Sequence, residues 1–295
     1  MSNLYQRKLP LAGIDTSGMT TRELGELARE ILDEGIHGIC FSPYLPHQSP
    51  GDIIEAGQVE QRLELIRPWV KWIRSFSCTD GNELIPALAA SKGLKTMVGV
   101  WLSDDHELNE RELANGIAVA QAGHASILAV GNEVLLRGDL TEDELLDYLS
   151  RAKAAVPDVP VGYVDAYFEF VDHPRITAAC DVLLANCYPF WEGCPAPYAL
   201  LYMKDMYRRV ARAAGGKRVI VSETGWPTIG KATGGAEPSY ENALKYFIDT
   251  CRWAHEDEIE MFYFSAFDEP WKVAAEGDVG AYWGLLDKDG KPKYW

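Results

Sequence analysis

Eight short apolar runs, most of them followed by a stretch with helical periodicity, constrain the fold more than any other feature of the sequence. The runs lie at positions 38–44, 73–78, 96–102, 127–133, 159–166, 181–190, 218–223 and 260–271. After each of the first seven, apolar residues recur three and four positions apart, which is typical of a helix with one buried face. Because repeated strand–helix units place their strands parallel, the pattern predicts an α/β fold, a closed (β/α)8 TIM barrel.

An open, doubly wound parallel sheet is the alternative arrangement of such units. That fold commonly carries a glycine-rich phosphate loop after a strand, but no G-x-G-x-x-G or G-K-[ST] motif follows any of the runs. The 295 residues also suit a single barrel, for which about 250 residues is typical. The sequence therefore favours one closed barrel over residues 36–295.

Residues 1–35 are predicted to form an N-terminal extension that contains one helix. The helix should run from about Thr20 to Gly35, because Thr20 and Glu23 have the spacing of a capping box ahead of an apolar stripe. It is expected either to lie across the bottom of the barrel or to replace the weak helix expected after the last strand.

Charge and composition exclude several classes of partner. The 28 basic and 44 acidic residues give a net charge of −16, so nucleic acids and anionic membranes are poor partners. Apolar runs fall short of the roughly 20 residues of a membrane span. The start MSNLYQRKLPLAG lacks the apolar stretch of a signal peptide. These features predict a cytoplasmic chain, or a periplasmic one that has been trimmed or excised from a longer protein.

The six cysteines are spread along the chain without a C-x-x-C pair. Reduced thiols fit this pattern and a cytoplasmic setting best, with Cys187 and Cys194 as one pair that could bridge. The six histidines form neither an H-x-H nor an H-E-x-x-H pair, so no metal site and no cofactor are predicted.

Carboxylates, amides and aromatic rings collect at the predicted strand ends, where barrels of this kind carry their active sites. Glu133 ends the fourth apolar run and Glu223 ends the seventh, so the two should face each other across the barrel mouth. Two opposed carboxyl groups are the machinery for cleaving a glycosidic bond, one as a protonated acid and the other as an ionised nucleophile or base. The surrounding tryptophans suit sugar rings, whose C–H faces stack on aromatic faces.

Three segments around these residues resemble glycoside hydrolase family 17. They are GNE at 131–133, SETGWP at 222–227 and FDEPWK at 267–272. Members of that family are retaining enzymes that act on β-1,3-linked glucans, and the resemblance runs from about Gly38 to Trp295. GNEVLLRGDL and VGAYWGLLD look closest to bacterial members, several of which are glucanosyltransferases. The proline of FDEPWK departs from plant members, which usually carry a polar residue there.

The resemblance implies a role for each matching residue. Glu133 would be the general acid/base and Glu223 the nucleophile, with carboxyl groups about 5–5.5 Å apart, as retention requires. Asn132 would bond the sugar 2-hydroxyl, Tyr188 would orient the nucleophile, and Glu269 with Lys272 would form a supporting charged pair. The remaining candidates for binding or supporting the substrate are Tyr44, Asp80, Trp191, Trp226 and Phe267.

The predicted function is cleavage of a β-1,3-glucan oligo- or polysaccharide, with transfer of the glycosyl group to a sugar acceptor or to water. A non-catalytic carbohydrate-binding barrel is the alternative, because it would keep the aromatic cleft without needing two carboxylates. A metal-dependent lyase or isomerase barrel is a third possibility, in which strand-end acids hold a divalent cation.

Overall fold

The structure, a computed structural model, describes residues 13–16 and 18–294. The first twelve residues of the predicted N-terminal extension therefore lie outside the described residues. Eight parallel strands form one closed barrel in the order β1 to β8, which confirms the predicted fold class. The strands are β1 Ile36–Cys40, β2 Val70–Arg74, β3 Lys95–Val100, β4 Ile127–Asn132, β5 Val161–Ala166, β6 Val182–Asn186, β7 Arg218–Thr224 and β8 Met261–Tyr263.

Eleven α-helices lie in the described part of the chain, and the longer ones form a layer around the barrel. They are α1 Thr21–Glu34, α2 Ala56–Ile66, α3 Ile85–Ser91, α4 His106–Gln121, α5 Val134–Arg137, α6 Glu142–Ala155, α7 Glu169–Asp172, α8 Pro174–Ala179, α9 Ala199–Ala213, α10 Tyr240–Glu256 and α11 Val273–Glu276. None of the described helices is both long and apolar enough to cross a bilayer. All six cysteines are free thiols, so Cys187 and Cys194 are not bridged.

The first helix belongs to this outer layer. Its N-terminus has the predicted capping box, in which the Thr20 side chain accepts from the Glu23 amide and the Glu23 carboxylate accepts from the Thr20 amide. Leu24, Ala28 and Leu32 are buried, and α1 packs against α10. Among the described residues no helix of more than four residues follows β8, so α1 fills the place of an eighth outer helix.

The second strand begins earlier than the sequence pattern suggested. The second apolar run lies at 73–78, but α2 ends at Ile66, Arg67–Trp69 form a 3-10 turn, and the strand then begins at Val70. Pro68 lies in that turn; it has no amide hydrogen and its ring obstructs continuation of a helix. β2 ends at Arg74, which therefore lies at the carboxyl end of the barrel.

The last strand is shorter than predicted, since β8 covers Met261–Tyr263 rather than residues 260–271. Beyond it the backbone pairs with other segments: the Ser265 amide donates to the carbonyl of Trp283 and the Ala266 amide to that of Cys40. The FDEPWK segment is therefore a loop over the barrel mouth, which is where function-bearing residues of this fold collect.

The strand register is irregular where the candidate residues lie. Shifts occur between Ala129 and Asn132 in β4, at the end of β6, and near the end of β7. Such irregularities bend a strand locally and re-aim its side chains. They let consecutive side chains at these strand ends reach the barrel mouth.

Candidate active site

A cleft of about 880 Å³ opens at the carboxyl ends of the strands and contains both glutamates. Its wall includes eight of the eleven predicted site residues, namely Tyr44, Asp80, Asn132, Glu133, Tyr188, Trp191, Glu223 and Lys272. A smaller cavity of about 520 Å³ lies at the opposite end, between α1, α10 and the starts of β1 and β8, and contains neither glutamate.

Glu223, on β7, is held by two strong donors. The residue is only 6% exposed. Arg74 Nη1 donates to Glu223 Oε1, and the Tyr188 hydroxyl donates to Oε2 over 2.6 Å. Because a buried carboxylate is stable only when it is paired or hydrogen-bonded, these two contacts explain how an acid can end an apolar strand. Together the two donors satisfy both oxygens of the carboxyl group.

Arg74 is the central residue that the sequence analysis missed. It is 2% exposed; its Nη2 donates to Asn132 Oδ1 over 2.6 Å, and its guanidinium lies 4.3 Å from the centre of the Phe76 ring. One guanidinium group therefore fixes both Glu223 and Asn132, as the planar fork of arginine allows. The available signal was an arginine at the end of the apolar segment VKWIR.

Glu133, directly after β4, has a different environment. Its backbone is left-handed, with φ of 53°. Asn186 Nδ2 donates to Glu133 Oε1 over 2.8 Å, while Asn186 Oδ1 accepts from the Ser222 hydroxyl over 2.8 Å. Burial, and next the negative charge of Glu223, raise the pKa of Glu133. Asn186 is the second residue that the sequence analysis missed.

The model of the BtgE/BtgC glycoside hydrolase domain matches residues 38–284 of the chain. The chain belongs to this glycoside hydrolase family. A glucan 1,3-beta-glucosidase of Schizosaccharomyces pombe is 30% identical over 251 residues, which cover 79% of this chain and 78% of the relative. A glucan 1,3-beta-glucosidase of Candida albicans is 30% identical over 270 residues, which cover 83% and 87%.

Solved structures agree with this assignment. The glycoside hydrolase family 17 beta-1,3-glucanosyltransferase from Rhizomucor miehei superposes with a TM-score of 0.80 at 27% identity, covering 88% of this chain and 96% of that one. An active-site mutant of that enzyme in complex with laminaritriose matches equally well, at 26% identity. The resemblance to family 17 is thus confirmed, but these relatives are fungal, so the expected nearness to bacterial members is wrong. The family assignment gives no support to a non-catalytic barrel.

Aromatic rings and polar groups form the walls of the hydrolase's cleft. Trp191 is 39% exposed, and its ring lies 5.5 Å from that of Trp283. On another part of the wall, the Tyr44 hydroxyl accepts from Asn82 Nδ2, and the Tyr44 ring contacts that of Trp271 edge-on. Such rings offer flat apolar surfaces to sugars while their polar groups stay hydrogen-bonded. Asp80 is exposed on the cleft wall.

Glu269 and Lys272 form the charged pair that the resemblance implied. Lys272 Nζ lies 2.9 Å from Glu269 Oε2, and both side chains are largely buried. The ammonium group also lies 4.1 Å from the centre of the Phe264 ring. Burial lowers the pKa of Lys272, but the charge of Glu269 and other acids offsets this, so the pKa is raised and the cation is retained.

Two of the predicted binding or supporting residues, Trp226 and Phe267, do not line the cleft. Trp226 is fully buried; its indole N–H donates to the Glu237 carbonyl over 3.0 Å, and its ring packs against Tyr246 of α10. Phe267 is 2% exposed and lies beneath the Arg62 guanidinium, 4.3 Å from ring centre to cation. Both rings pack against other protein groups, so of the two predicted roles, binding or supporting, the packing favours support.

Proposed function

We propose that this glycoside hydrolase cleaves β-1,3-glucans with retention, using Glu223 as nucleophile and Glu133 as general acid/base. The observation that carries the proposal is the unequal environment of the two carboxyl groups. A cation and a phenol donate to the two oxygens of Glu223, whereas Glu133 accepts from the neutral amide of Asn186 and has a raised pKa. Environments that separate two carboxyl groups in this way assign the acid and the nucleophile.

In the first step an oxygen of Glu223 attacks the anomeric carbon of the sugar. The bond from that carbon to the glycosidic oxygen breaks, and Glu133 gives its proton to the departing oxygen. The products of this step are a shortened glucan with a free hydroxyl and a glycosyl ester of Glu223. Glu133 is left as a carboxylate.

In the second step Glu133 acts as the base. It removes a proton from water or from a sugar hydroxyl, whose oxygen attacks the anomeric carbon and displaces Glu223. Esterification removes the negative charge of Glu223, which had raised the pKa of Glu133, so Glu133 is ionised when a base is needed. Two inversions at the same carbon give overall retention.

Asn132 is placed to position the sugar. Its Oδ1 accepts from Arg74, which fixes the orientation of the amide and leaves Nδ2 free to donate to the 2-hydroxyl. Hydrogen bonds to that hydroxyl strengthen in the transition state of glycosidases. The relatives named as glucan 1,3-beta-glucosidases and as a beta-1,3-glucanosyltransferase support β-1,3-glucan as the substrate.

Replacement of each glutamate tests the assignment. Glu223→Ala should abolish turnover without unfolding, and azide should restore cleavage of an activated aryl substrate to give a product of inverted configuration. Glu133→Ala should retain the first step only for substrates whose leaving group needs no proton. Carboxyl groups separated by about 9 Å, in the range for inversion, or inverted products from the parent enzyme would contradict the proposal.

The acceptor is decided by the lengths of the products. Incubation with laminari-oligosaccharides gives products longer than the substrate when a sugar is the acceptor, and only shorter ones when water is. The aromatic surfaces of Trp191 and Trp283 could hold an acceptor sugar, so Trp191→Ala should lower the ratio of transfer to hydrolysis if that ring binds it.

A further inference from the structure

Glu133 lies at the start of a helix, where its carboxyl group has two competing sets of partners: the free amides of the helix and the groups in the cleft. It is the N-cap residue of the short helix α5, the position from which a side-chain oxygen can accept a hydrogen bond from the second or third amide of a helix. In this helix those amides belong to Leu135 and Leu136. Glu133 makes no such bond; its Oε1 accepts from Asn186 in the cleft instead.

The two amides are taken by side chains from the neighbouring strand β5. The Leu135 amide donates to the Tyr163 hydroxyl over 3.0 Å, and the Leu136 amide makes a longer contact of 3.4 Å with Asp165 Oδ2. The Tyr163 hydroxyl in turn donates to Asp165 Oδ2. The amides of α5 are therefore satisfied without the carboxyl group of Glu133.

The pair is built into the core. Tyr163 and Asp165 are both fully buried, and Asp165 Oδ1 also accepts from the Ala166 amide over 2.7 Å. The glycine of the GNE segment makes room for the pair, since a side chain at Gly131 would come within 3.2 Å of the Tyr163 ring. Burying a carboxyl group costs free energy unless the group is hydrogen-bonded, and these contacts supply the hydrogen bonds of Asp165.

We propose that Tyr163 and Asp165 are a positioning pair that caps α5 in place of Glu133. The inference rests on the proposed role of Glu133 as the general acid. By occupying the two amides, the pair keeps the Glu133 carboxyl group directed into the cleft. It also keeps two donors away from that carboxyl group, since hydrogen bonds to the ionised form would favour loss of the proton that the first step requires.

The test is Tyr163→Phe, which removes the hydroxyl group and leaves the ring. The Leu135 amide then lacks its acceptor, and Glu133 should replace it. We expect turnover of laminari-oligosaccharides to fall about 10–100-fold, a part of the 10²–10⁴ that general acid catalysis contributes. Cleavage of a dinitrophenyl glycoside, which needs no acid, should change less than about twofold. The basic limb of the pH profile of kcat/KM should move to lower pH, because that limb reports ionisation of the acid.

Two comparisons make the result specific. Tyr148→Phe removes the hydroxyl of another buried tyrosine, on the outer helix α6, and should leave both substrates and the pH profile unchanged. Asp165→Asn, which preserves side-chain size, should reproduce the leaving-group dependence even if Tyr163→Phe folds poorly. Thermal unfolding of each variant shows which of them are folded.

The outcomes separate the inference from the proposed function. Suppose that Glu133→Ala shows leaving-group dependence. If Tyr163→Phe and Asp165→Asn then lower the turnover of both substrates equally, or leave the pH profile of kcat/KM unchanged, the pair is merely structural and the inference is wrong. If Glu133→Ala lowers the turnover of both substrates equally, Glu133 is not the general acid, and the proposed function fails together with the inference.

Discussion

Removal of the guanidinium group beneath the cleft is the most informative perturbation. In Arg74→Met the aliphatic part of the side chain is kept, but the Glu223 carboxylate loses its cation and Asn132 loses its donor. The variant therefore leaves an uncompensated charge at a site where the parent side chains of Arg74 and Glu223 are only 2% and 8% exposed.

The structure gives the size of the expected effect. Breaking a buried ion pair by removing one partner costs about 3–5 kcal/mol, because the remaining charge stays desolvated. The contact of Arg74 with the Phe76 ring adds up to about 2 kcal/mol where it is desolvated. We expect the free energy of unfolding at pH 7 to fall by about 3–7 kcal/mol when the two effects are added.

A double-mutant cycle isolates the charge from the loss of packing. Unfolding in urea is measured for the parent, Arg74→Met, Glu223→Gln and the double variant. Because the amide introduced by Glu223→Gln carries no charge, adding Arg74→Met to that background should cost less than about 2 kcal/mol, which leaves a coupling energy of at least about 1–2 kcal/mol. Arg74→Lys keeps a cation but cannot contact both partners as a fork, so it should retain more stability than activity.

The activity of Arg74→Met provides a second measurement. Its kcat should fall, because Glu223 has lost the donor that fixes one carboxylate oxygen and Asn132 has lost the donor that orients its amide. The reasoning is refuted if Arg74→Met lowers the free energy of unfolding by less than about 1 kcal/mol, or if the loss is the same in the Glu223→Gln background.

Two further predictions concern residues outside the catalytic pair. Trp226→Phe should lower the free energy of unfolding by about 2–3 kcal/mol, because it leaves a cavity and loses the hydrogen bond to the Glu237 carbonyl, and KM should be unchanged. Trp191→Phe should instead raise KM and leave the stability intact. A raised KM in Trp226→Phe would show that this ring contacts substrate. Burial raises the pKa of Asp249 to about 6 from the ordinary 3.8, so its stabilising contribution is lost as pH rises through 6. Asp249→Asn should therefore stabilise the fold at pH 8 by at most about 3 kcal/mol and not at pH 4, while exposed Asp158→Asn should do neither; an equal gain at both pH values would contradict this explanation.

The fold and the identity of the two glutamates were accessible from the sequence because they depend on local patterns. Apolar runs alternating with helical periodicity specify strand–helix units, and eight such units close into a barrel. Carboxyl ends of parallel strands meet at one end of the barrel, so Glu133 and Glu223, each at the end of an apolar run, had to approach each other. The capping box at Thr20 joins atoms three residues apart, and it is present.

The environments of those glutamates came only from the tertiary structure. Arg74 is 149 positions from Glu223, and Asn186 is 53 positions from Glu133. No spacing rule joins residues so far apart, because the contact exists only after the barrel has closed and the strand register is set. The periodicity alone also did not show that the helix before β2 stops ahead of Pro68, which lies in the 3-10 turn Arg67–Trp69.

The two tryptophans illustrate the same limit at one cleft. Trp226 and Trp191 both follow barrel strands, yet one is fully buried against α10 and the other is exposed in the cleft. Local sequence sets the chemical nature of a side chain and roughly where the chain leaves the sheet. Whether the side chain enters the cleft or the core depends on where distant helices and loops pack, and their positions are set only when the barrel has closed.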